Sequence, residues 1–106
     1  MRIRWLRRAL SNLDDNAEYI ARESPDAAAR IVKRIATSVD RIGTHPASGR
    51  IGRVPGTREL VIAGTPYIVP YRVRGATVEI LRVFHAARKM ARKFLIASAS
   101  RFVLLN

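Results

Sequence analysis

The first fifth of the chain changes from a strand-like to a helix-like hydrophobic period. Arg2–Trp5 alternates polar and apolar residues, which is the period of a half-buried strand. The apolar positions that follow are four and three residues apart and predict an amphipathic helix over residues 7–23: Leu6, Leu10, Leu13, Ala17 and Ile20. Because Pro25 keeps Ser24 out of the helical region, this helix must end near Glu23.

A second helix is predicted over residues 25–43. Ser24 has the chemistry of an N-cap, Pro25 loses no hydrogen bond at the first helical position, and Asp26 suits the positive end of the helix dipole. Gly43 supplies the stop signal. The apolar stripe contains Ala28, Ile31, Val32, Ile35, Val39 and Ile42, and the cations Arg30, Lys33, Arg34 and Arg41 lie mostly outside it. The very short link predicts an antiparallel helical hairpin.

The second half of the chain has the pattern of a loop followed by three strands. Residues 46–56 are punctuated by glycine and proline, and strands are predicted over residues 57–63, 67–74 and 77–84, joined as two hairpins. Proline cannot donate to a sheet ladder, so Pro70 predicts a bulge or a missing ladder bond. We expect the helices to cover one face of this antiparallel sheet and Trp5 to be buried or nearly so.

The remaining segments complete one domain. Helical spacing over residues 86–97 accompanies a cationic side of Arg88, Lys89, Arg92 and Lys93. A length of 106 residues fits one compact unit, so we assign a single domain to residues 1–97 and a C-terminal tail to residues 98–106.

The charge of the chain predicts a polyanionic partner. Twenty Lys and Arg against eight Asp and Glu give +12, and arginine, which suits bidentate contact with phosphate or carboxylate, supplies most of the cations. Residues 1–49 carry nine cations and six anions, whereas residues 50–106 carry eleven and two, so the second half holds +9 of the total. An acidic partner would relieve this self-repulsion.

Several classes of protein are disfavoured. The absence of cysteine excludes disulfides, a thiolate nucleophile and a cysteine-based zinc site, and His45 and His85 alone cannot form a closed metal site. We therefore expect no metal and no cofactor. The basic N-terminus is followed by a segment too broken for a signal peptide, and no apolar run could span a bilayer, so we expect a cytoplasmic protein that does not enter a membrane.

The densest polar constellation lies on the predicted strands and just beyond them. Its members are Arg58, Glu59, Arg72, Arg74, Arg82, His85 and Arg88, which adjacent strands would bring to one surface. Such a surface could bind a phosphodiester, and it could cleave RNA if a base, an acid and a guanidinium were suitably placed. The catalytic candidates are Glu59, His85 and Arg88, and the candidates for binding a target or partner are Arg58, Arg72, Arg82 and Arg88. The alternatives are a structural role for His85 and core positions, rather than base stacking, for Tyr67 and Tyr71.

The order of five motifs resembles the ParE/RelE toxin superfamily, in particular its ParE, or plasmid-stabilisation, branch. The resemblance covers residues 1–95, and its motifs are Tyr19-Ile20-Ala21, His45-Pro46-x-x-Gly49-Arg50, Gly56-Thr57-Arg58-Glu59-Leu60, Tyr67-Ile68-Val69-Pro70-Tyr71-Arg72-Val73 and Ile80-Leu81-Arg82-Val83-Phe84-His85-x-x-Arg88. It implies an α+β fold with a β-α-α-β-β-β core, in which a helical hairpin packs on a small antiparallel sheet and a short C-terminal helix follows.

The resemblance also implies a function and a partner. The chain would be the toxin of a type II toxin–antitoxin module, held inactive in a hetero-oligomer by a cognate acidic antitoxin that is ParD-like or similar. ParE-branch toxins are associated with poisoning of DNA gyrase and growth arrest, and RelE-branch toxins with cleavage of mRNA in the ribosome.

Departures from the RelE pattern favour the gyrase-directed branch. Ribosome-dependent nucleases of that type typically carry a basic residue where this chain has Ile68, and a tyrosine or other acid–base group near the C-terminus, whereas no tyrosine follows Tyr71 here. A RelE-like ribonuclease using Glu59 and His85 is the alternative. A basic nucleic-acid-binding domain without toxicity is a third hypothesis.

Overall fold

The computed structural model describes residues 1–87 of the chain. The predicted helix over residues 86–97, the candidate Arg88 and the tail over residues 98–106 therefore lie wholly or largely outside the described residues. The described chain begins with strand β1 (Arg2–Trp5), helix α1 (Arg7–Ala21) and helix α2 (Pro25–Ile42). Five strands follow: β2 (Arg50–Ile51), β3 (Arg58–Val61), β4 (Tyr67–Arg74), β5 (Thr77–Ile80) and β6 (Phe84–His85).

The two predicted helices are confirmed, and their boundaries have local causes. The Oγ of Ser24 accepts a hydrogen bond from the backbone N–H of Ala27 at 3.1 Å, as expected of an N-cap. Helix α1 ends two residues before the predicted boundary because the N–H groups of Glu23 and Ser24 both turn back to the carbonyl of Ile20. Helix α2 ends at Ile42, one residue before Gly43.

The strands form one mixed sheet in the order β1-β5-β4-β3-β2, with β6 also paired to β4. The pairings from β2 to β6 are antiparallel, and β1 runs parallel to β5 with Ile3 opposite Val78. The expected hairpins are therefore confirmed, whereas the sheet is not purely antiparallel. Strand β2 lies within the segment predicted as a loop. The sequence did not predict this strand because two residues are too few to show a hydrophobic period.

The third predicted strand is interrupted opposite Pro70. Strand β5 pairs with β4 as far as Ile80 opposite Tyr71, and β6 resumes the pairing with Phe84 opposite Ile68. Residues 81–83, between β5 and β6, thus lie opposite only two residues of β4, 69 and 70. The extra residue forms a bulge between β5 and β6. Proline offers no N–H there, and its carbonyl accepts from the N–H of Leu81 at 2.9 Å. The bulge predicted from Pro70 is confirmed.

The core lies between the helical hairpin and one face of the sheet. Its buried members are Ala9, Ile35, Val39, Ile42, Ile62, Tyr67, Val69, Tyr71, Val78, Ile80 and Val83. Trp5 packs against this cluster but is only half-buried, because β1 lies at the edge of the sheet, so the expectation of near-complete burial is wrong. The helices described within residues 1–87 include none that is both long and apolar enough to cross a membrane.

Candidate functional site

The strand register places the predicted site residues on opposite faces of the sheet. Arg58 lies opposite Tyr71, and His85 lies opposite Tyr67, on the face that the helices cover. Glu59 lies opposite Pro70 and therefore occupies the other face, because successive residues of a strand point to opposite sides. The prediction that adjacent strands bring the whole constellation to one surface is therefore wrong.

The face turned away from the helices, here called the open face, carries five arginines and two glutamates. It comprises Arg2, Arg4, Arg50, Glu59, Arg72, Arg74 and Glu79, which the pairings of β1 to β5 place side by side. Only two of these seven residues are acidic. The open face is thus a strongly cationic surface containing two neutralised carboxylates.

Glu79 forms a first ion pair on the open face. Its Oε1 accepts a hydrogen bond from Arg72 Nε at 2.7 Å and lies 3.9 Å from Arg74 Nη1. The hydrogen bond from Arg72 lowers the pKa of Glu79, and the charges of Arg72, Arg74 and Arg4 add to it, although burial acts in the opposite direction. Glu79 therefore stays ionised and fixes Arg72 in place.

Glu59 forms a second ion pair on the open face. Its Oε1 accepts from Arg50 Nη2 at 3.0 Å and from Arg50 Nε at 3.3 Å, and its Oε2 accepts from the backbone N–H of Arg53 at 3.3 Å. The residue is only 5% exposed. Both carboxylate oxygens of this catalytic candidate thus hold the loop before β3, residues 46–56, against the sheet.

Arg58 is also engaged with that loop. Its Nη1 donates to the carbonyl of Gly49 at 2.8 Å and to that of Ala47 at 3.4 Å. The buried hydroxyl of Tyr71 holds the same segment, since it donates to the carbonyl of Pro46 and accepts from the N–H of Gly49, both at 2.8 Å. A Cβ at Gly49 would lie 2.7 Å from the Tyr71 hydroxyl, so this close approach requires glycine. The motif around Pro46 and Gly49 therefore has a structural explanation.

Arg82 and His85 lie near the bulge. Arg82 is 8% exposed, and its Nη1 donates to the carbonyl of Leu81 at 2.9 Å. Burial lowers its pKa, and the charge of Arg8 lowers it further. The half-buried ring of His85 packs edge-on against Tyr67, with ring centroids 5.3 Å apart and planes at 86°. Arg88 lies beyond the described residues.

This arrangement does not place the candidate acid and the candidate base together. Glu59 and His85 lie on opposite faces of the sheet and cannot act on one scissile bond from these positions. Across residues 1–87, no three His, Asp or Glu side chains gather where they could hold a metal ion. Sequence reasoning did not identify Arg50 as the partner of Glu59, nor the position of the α2 cations beside the turn between β3 and β4. Their one-sided placement on that helix was the available signal.

Comparison with known proteins gives consistent matches across most of the chain. The family model described as ParE toxin of type II toxin-antitoxin system, parDE, matches residues 3–90. A Sinorhizobium fredii protein named "Putative toxin Y4kP" is 58% identical over 85 residues, which cover 80% of this chain and 88% of that protein. Toxin RelE2 of Caulobacter vibrioides is 39% identical over 84 residues, covering 79% and 93%. A chain from a solved structure described as the chromosomal ParDE TA system from P. aeruginosa superposes with a TM-score of 0.72 at 31% identity, covering 80% of this chain and 95% of that one.

Proposed function

The chain belongs to the ParE family of type II toxin–antitoxin toxins, and from this premise we propose that it inhibits DNA gyrase by binding and is neutralised by a cognate acidic antitoxin. The observation that carries a non-hydrolytic action is the separation of Glu59 from His85 by the thickness of the sheet. A second observation supports it. Ile68, which stands where RelE-type nucleases typically carry a basic residue, is 8% exposed and pairs with Phe84 and Val61.

Two parallel assays test the mode of action. The purified chain, freed from its antitoxin, is added to a gyrase supercoiling reaction and to translating ribosomes carrying a defined mRNA. We expect inhibition in the first assay and intact mRNA in the second. Ribosome-dependent cleavage would overturn the proposal and favour the RelE-like ribonuclease.

Two substitutions sharpen this comparison. Glu59→Gln and His85→Ala should leave gyrase inhibition unchanged once folding is verified by circular dichroism. If the chain were instead a nuclease that used these groups, each substitution would lower its cleavage rate by about a hundredfold or more. A hundredfold fall in cleavage rate in either variant would therefore contradict a purely binding mode of action.

We propose further that an acidic segment of the antitoxin binds the open face. Arg2, Arg4 and Arg74 are exposed there, and the side chain of Arg74 is 69% accessible. Of the residues predicted to bind a partner, Arg72 lies on this face, whereas Arg58 and Arg82 donate hydrogen bonds to backbone carbonyls of their own chain. Carboxylates on a partner would find exposed cations on this surface.

The triple variant Arg2→Gln, Arg4→Gln and Arg74→Gln, called the open-face variant below, tests this surface. Titration with the product of the neighbouring gene should show at least a tenfold loss of affinity relative to the wild type. Failure of any acidic neighbour to bind or to relieve growth arrest would count against both the partner and the toxin role.

A further inference from the structure

A cleft separates helix α2 from the turn that joins β3 to β4. It is open to the surface, has a volume of about 770 Å³ and is lined by Arg30, Lys33, Arg34 and Arg41 of the helix and by Gly64 and Thr65 of the turn. We call it the α2 cleft. It lies outside the constellation that the sequence singled out, and its four cations belong to residues 1–49, the half of the chain with the smaller net charge.

The α2 cleft is cationic and lacks a balancing carboxylate. Four of its lining residues are cations, and none is acidic. Asp26 and Asp40 belong to the same helix but are not part of the lining. The ion pairs found in residues 1–87 all join sheet arginines to Glu59 or Glu79, so they leave the charge of the cleft uncompensated.

One of these cations is fixed across the cleft. Arg34 Nη1 donates to the carbonyl of Ala63 at 3.0 Å, which ties α2 to the turn. Gly64 adopts φ +75°, and a Cβ at this position would collide with the Arg34 guanidinium. A guanidinium held in this way is a preorganised, always-charged donor in the lining of the cleft.

The cations of the α2 cleft form a row along the helix. Arg30 and Arg34 are one turn apart, and Arg41 lies two further turns along, so the row extends about 16 Å at the helical rise of 1.5 Å per residue. A nucleic-acid duplex presents about five phosphates on each strand over that distance. Arg30, Lys33 and Arg41 are exposed and can adjust to such a ligand.

The lining argues against a protein helix as the occupant. Its apolar residues are only Ala27, Ile31 and Ala63, whereas an amphipathic helix binds through a series of large apolar anchors. We propose that the α2 cleft binds the sugar–phosphate backbone of a nucleic acid. This role goes beyond the proposed gyrase inhibition and does not depend on it.

The test compares two variants that remove the same charge. The cleft variant combines Arg30→Gln, Lys33→Gln and Arg41→Gln, and the open-face variant is its control, because each loses three positive charges. The full chain, free of antitoxin, is titrated into a fluorescein-labelled duplex of random sequence, about 20 base pairs long, at several salt concentrations. A parallel titration with single-stranded RNA of similar length distinguishes DNA from RNA as the source of the phosphates.

The cleft variant should bind the preferred nucleic acid at least tenfold more weakly near 0.1 M salt, with about a threefold or smaller loss for the open-face variant. The slope of log K against log salt should flatten by about 2 to 3 units, close to 0.9 for each duplex phosphate that the variant no longer neutralises. Glutamine retains helix propensity, and unfolding curves of both variants verify that the fold is intact.

Equal losses in the two variants would overturn the proposal, because binding would then reflect only the diffuse charge of the protein. Unchanged nucleic-acid affinity in the cleft variant would also overturn it. If the cleft variant kept its nucleic-acid affinity but lost affinity for the antitoxin, the occupant of the cleft would be an acidic protein segment and the proposal would be wrong. Failure of gyrase inhibition leaves this test unaffected, since the readout is direct binding.

Discussion

Single residues in this chain hold the loop before β3 by joining it to the sheet. Tyr71 is fully buried, and its hydroxyl contacts two backbone groups of that loop. Glu59 contacts Arg50 and Arg53 of the same segment from the opposite side of the sheet. The arrangement and charge of this region therefore depend on contacts made by a few polar atoms.

Replacing Tyr71 by phenylalanine removes one hydroxyl without changing the ring. The N–H of Gly49 and the carbonyl of Pro46 would lose their partner, so we expect the free energy of unfolding to fall by about 1 to 3 kcal/mol. Urea denaturation measures the change. Tyr19→Phe is the matched control, since Tyr19 is 60% exposed and its hydroxyl loss should cost about 0.5 kcal/mol or less. Equal losses in the two variants would contradict the role assigned to Tyr71.

Glu79 should make the stability of the protein depend on pH. Its pKa is lowered by the hydrogen bond from Arg72, so its contribution is complete above the unfolded value of 4.5 and is lost as pH falls through the lower, folded value. The difference in unfolding free energy between the wild type and Glu79→Gln should therefore be largest near neutral pH and shrink below pH 4.5.

Denaturation at a series of pH values measures this difference. Glu18→Gln removes a carboxylate from an exposed position of α1 and serves as the control, with an expected change of about 0.5 kcal/mol or less. A difference for Glu79→Gln that stayed constant across the acidic range would show that the ion pair with Arg72 does not stabilise the fold.

At the scale of elements, the turn between β3 and β4 is adapted to the helix beside it. Gly64 provides a positive φ for the turn and also leaves room for Arg34 to reach the carbonyl of Ala63. Gly75, in the turn between β4 and β5, has φ +60° but no atom within 4 Å of the position that a Cβ would take. Both glycines have a positive φ, but only Gly64 also contacts a neighbouring element. Comparing substitutions at the two positions therefore distinguishes the cost of backbone strain from the cost of losing that contact.

Gly64→Ala should therefore destabilise the protein more than Gly75→Ala. Both substitutions place alanine at a positive φ, at a cost of about 1 to 2 kcal/mol, and only the first also displaces Arg34. Thermal unfolding of the two variants measures the difference. In an Arg34→Ala background the excess cost of Gly64→Ala should disappear, and its persistence would mean that Arg34 is not the cause.

At the scale of the whole molecule, a net charge of +12 makes encounter with an anionic partner depend on ionic strength. Exposed cations of the open face and of the α2 cleft lie on different sides of the protein. Two anionic ligands could therefore occupy it without competing for the same arginines. The fold distributes the exposed cations over two surfaces, which the sequence alone does not show.

Association with the acidic antitoxin that we propose should slow as salt rises. Between about 0.05 and 0.5 M salt we expect the association rate constant to fall at least tenfold while the dissociation rate changes little, because steering acts on encounter. Stopped-flow mixing measures both rates. The open-face variant, with three charges removed, should show a weaker salt dependence, and an association rate insensitive to salt would contradict electrostatic steering.

The sequence by itself determined the elements whose signals are local. Strand β1, both helices and the cap at Ser24 follow from hydrophobic period and turn chemistry within a few residues, and Pro70 predicted the bulge because its missing N–H is a property of the residue. The motif order was sufficient for the resemblance to the toxin superfamily, since family motifs are read from residue identity and spacing.

Only the tertiary structure decided the partners of the charged side chains. Residues 50 and 59, or 72 and 79, become neighbours through strand register, and a shift of one residue would move each side chain to the other face. The parallel pairing of β1 with β5 and the approach of Arg34 to Ala63 join positions far apart in the chain. Hydrophobic period carries no information about such contacts, which is why Glu59 and Arg58 looked available for chemistry until the fold showed them engaged.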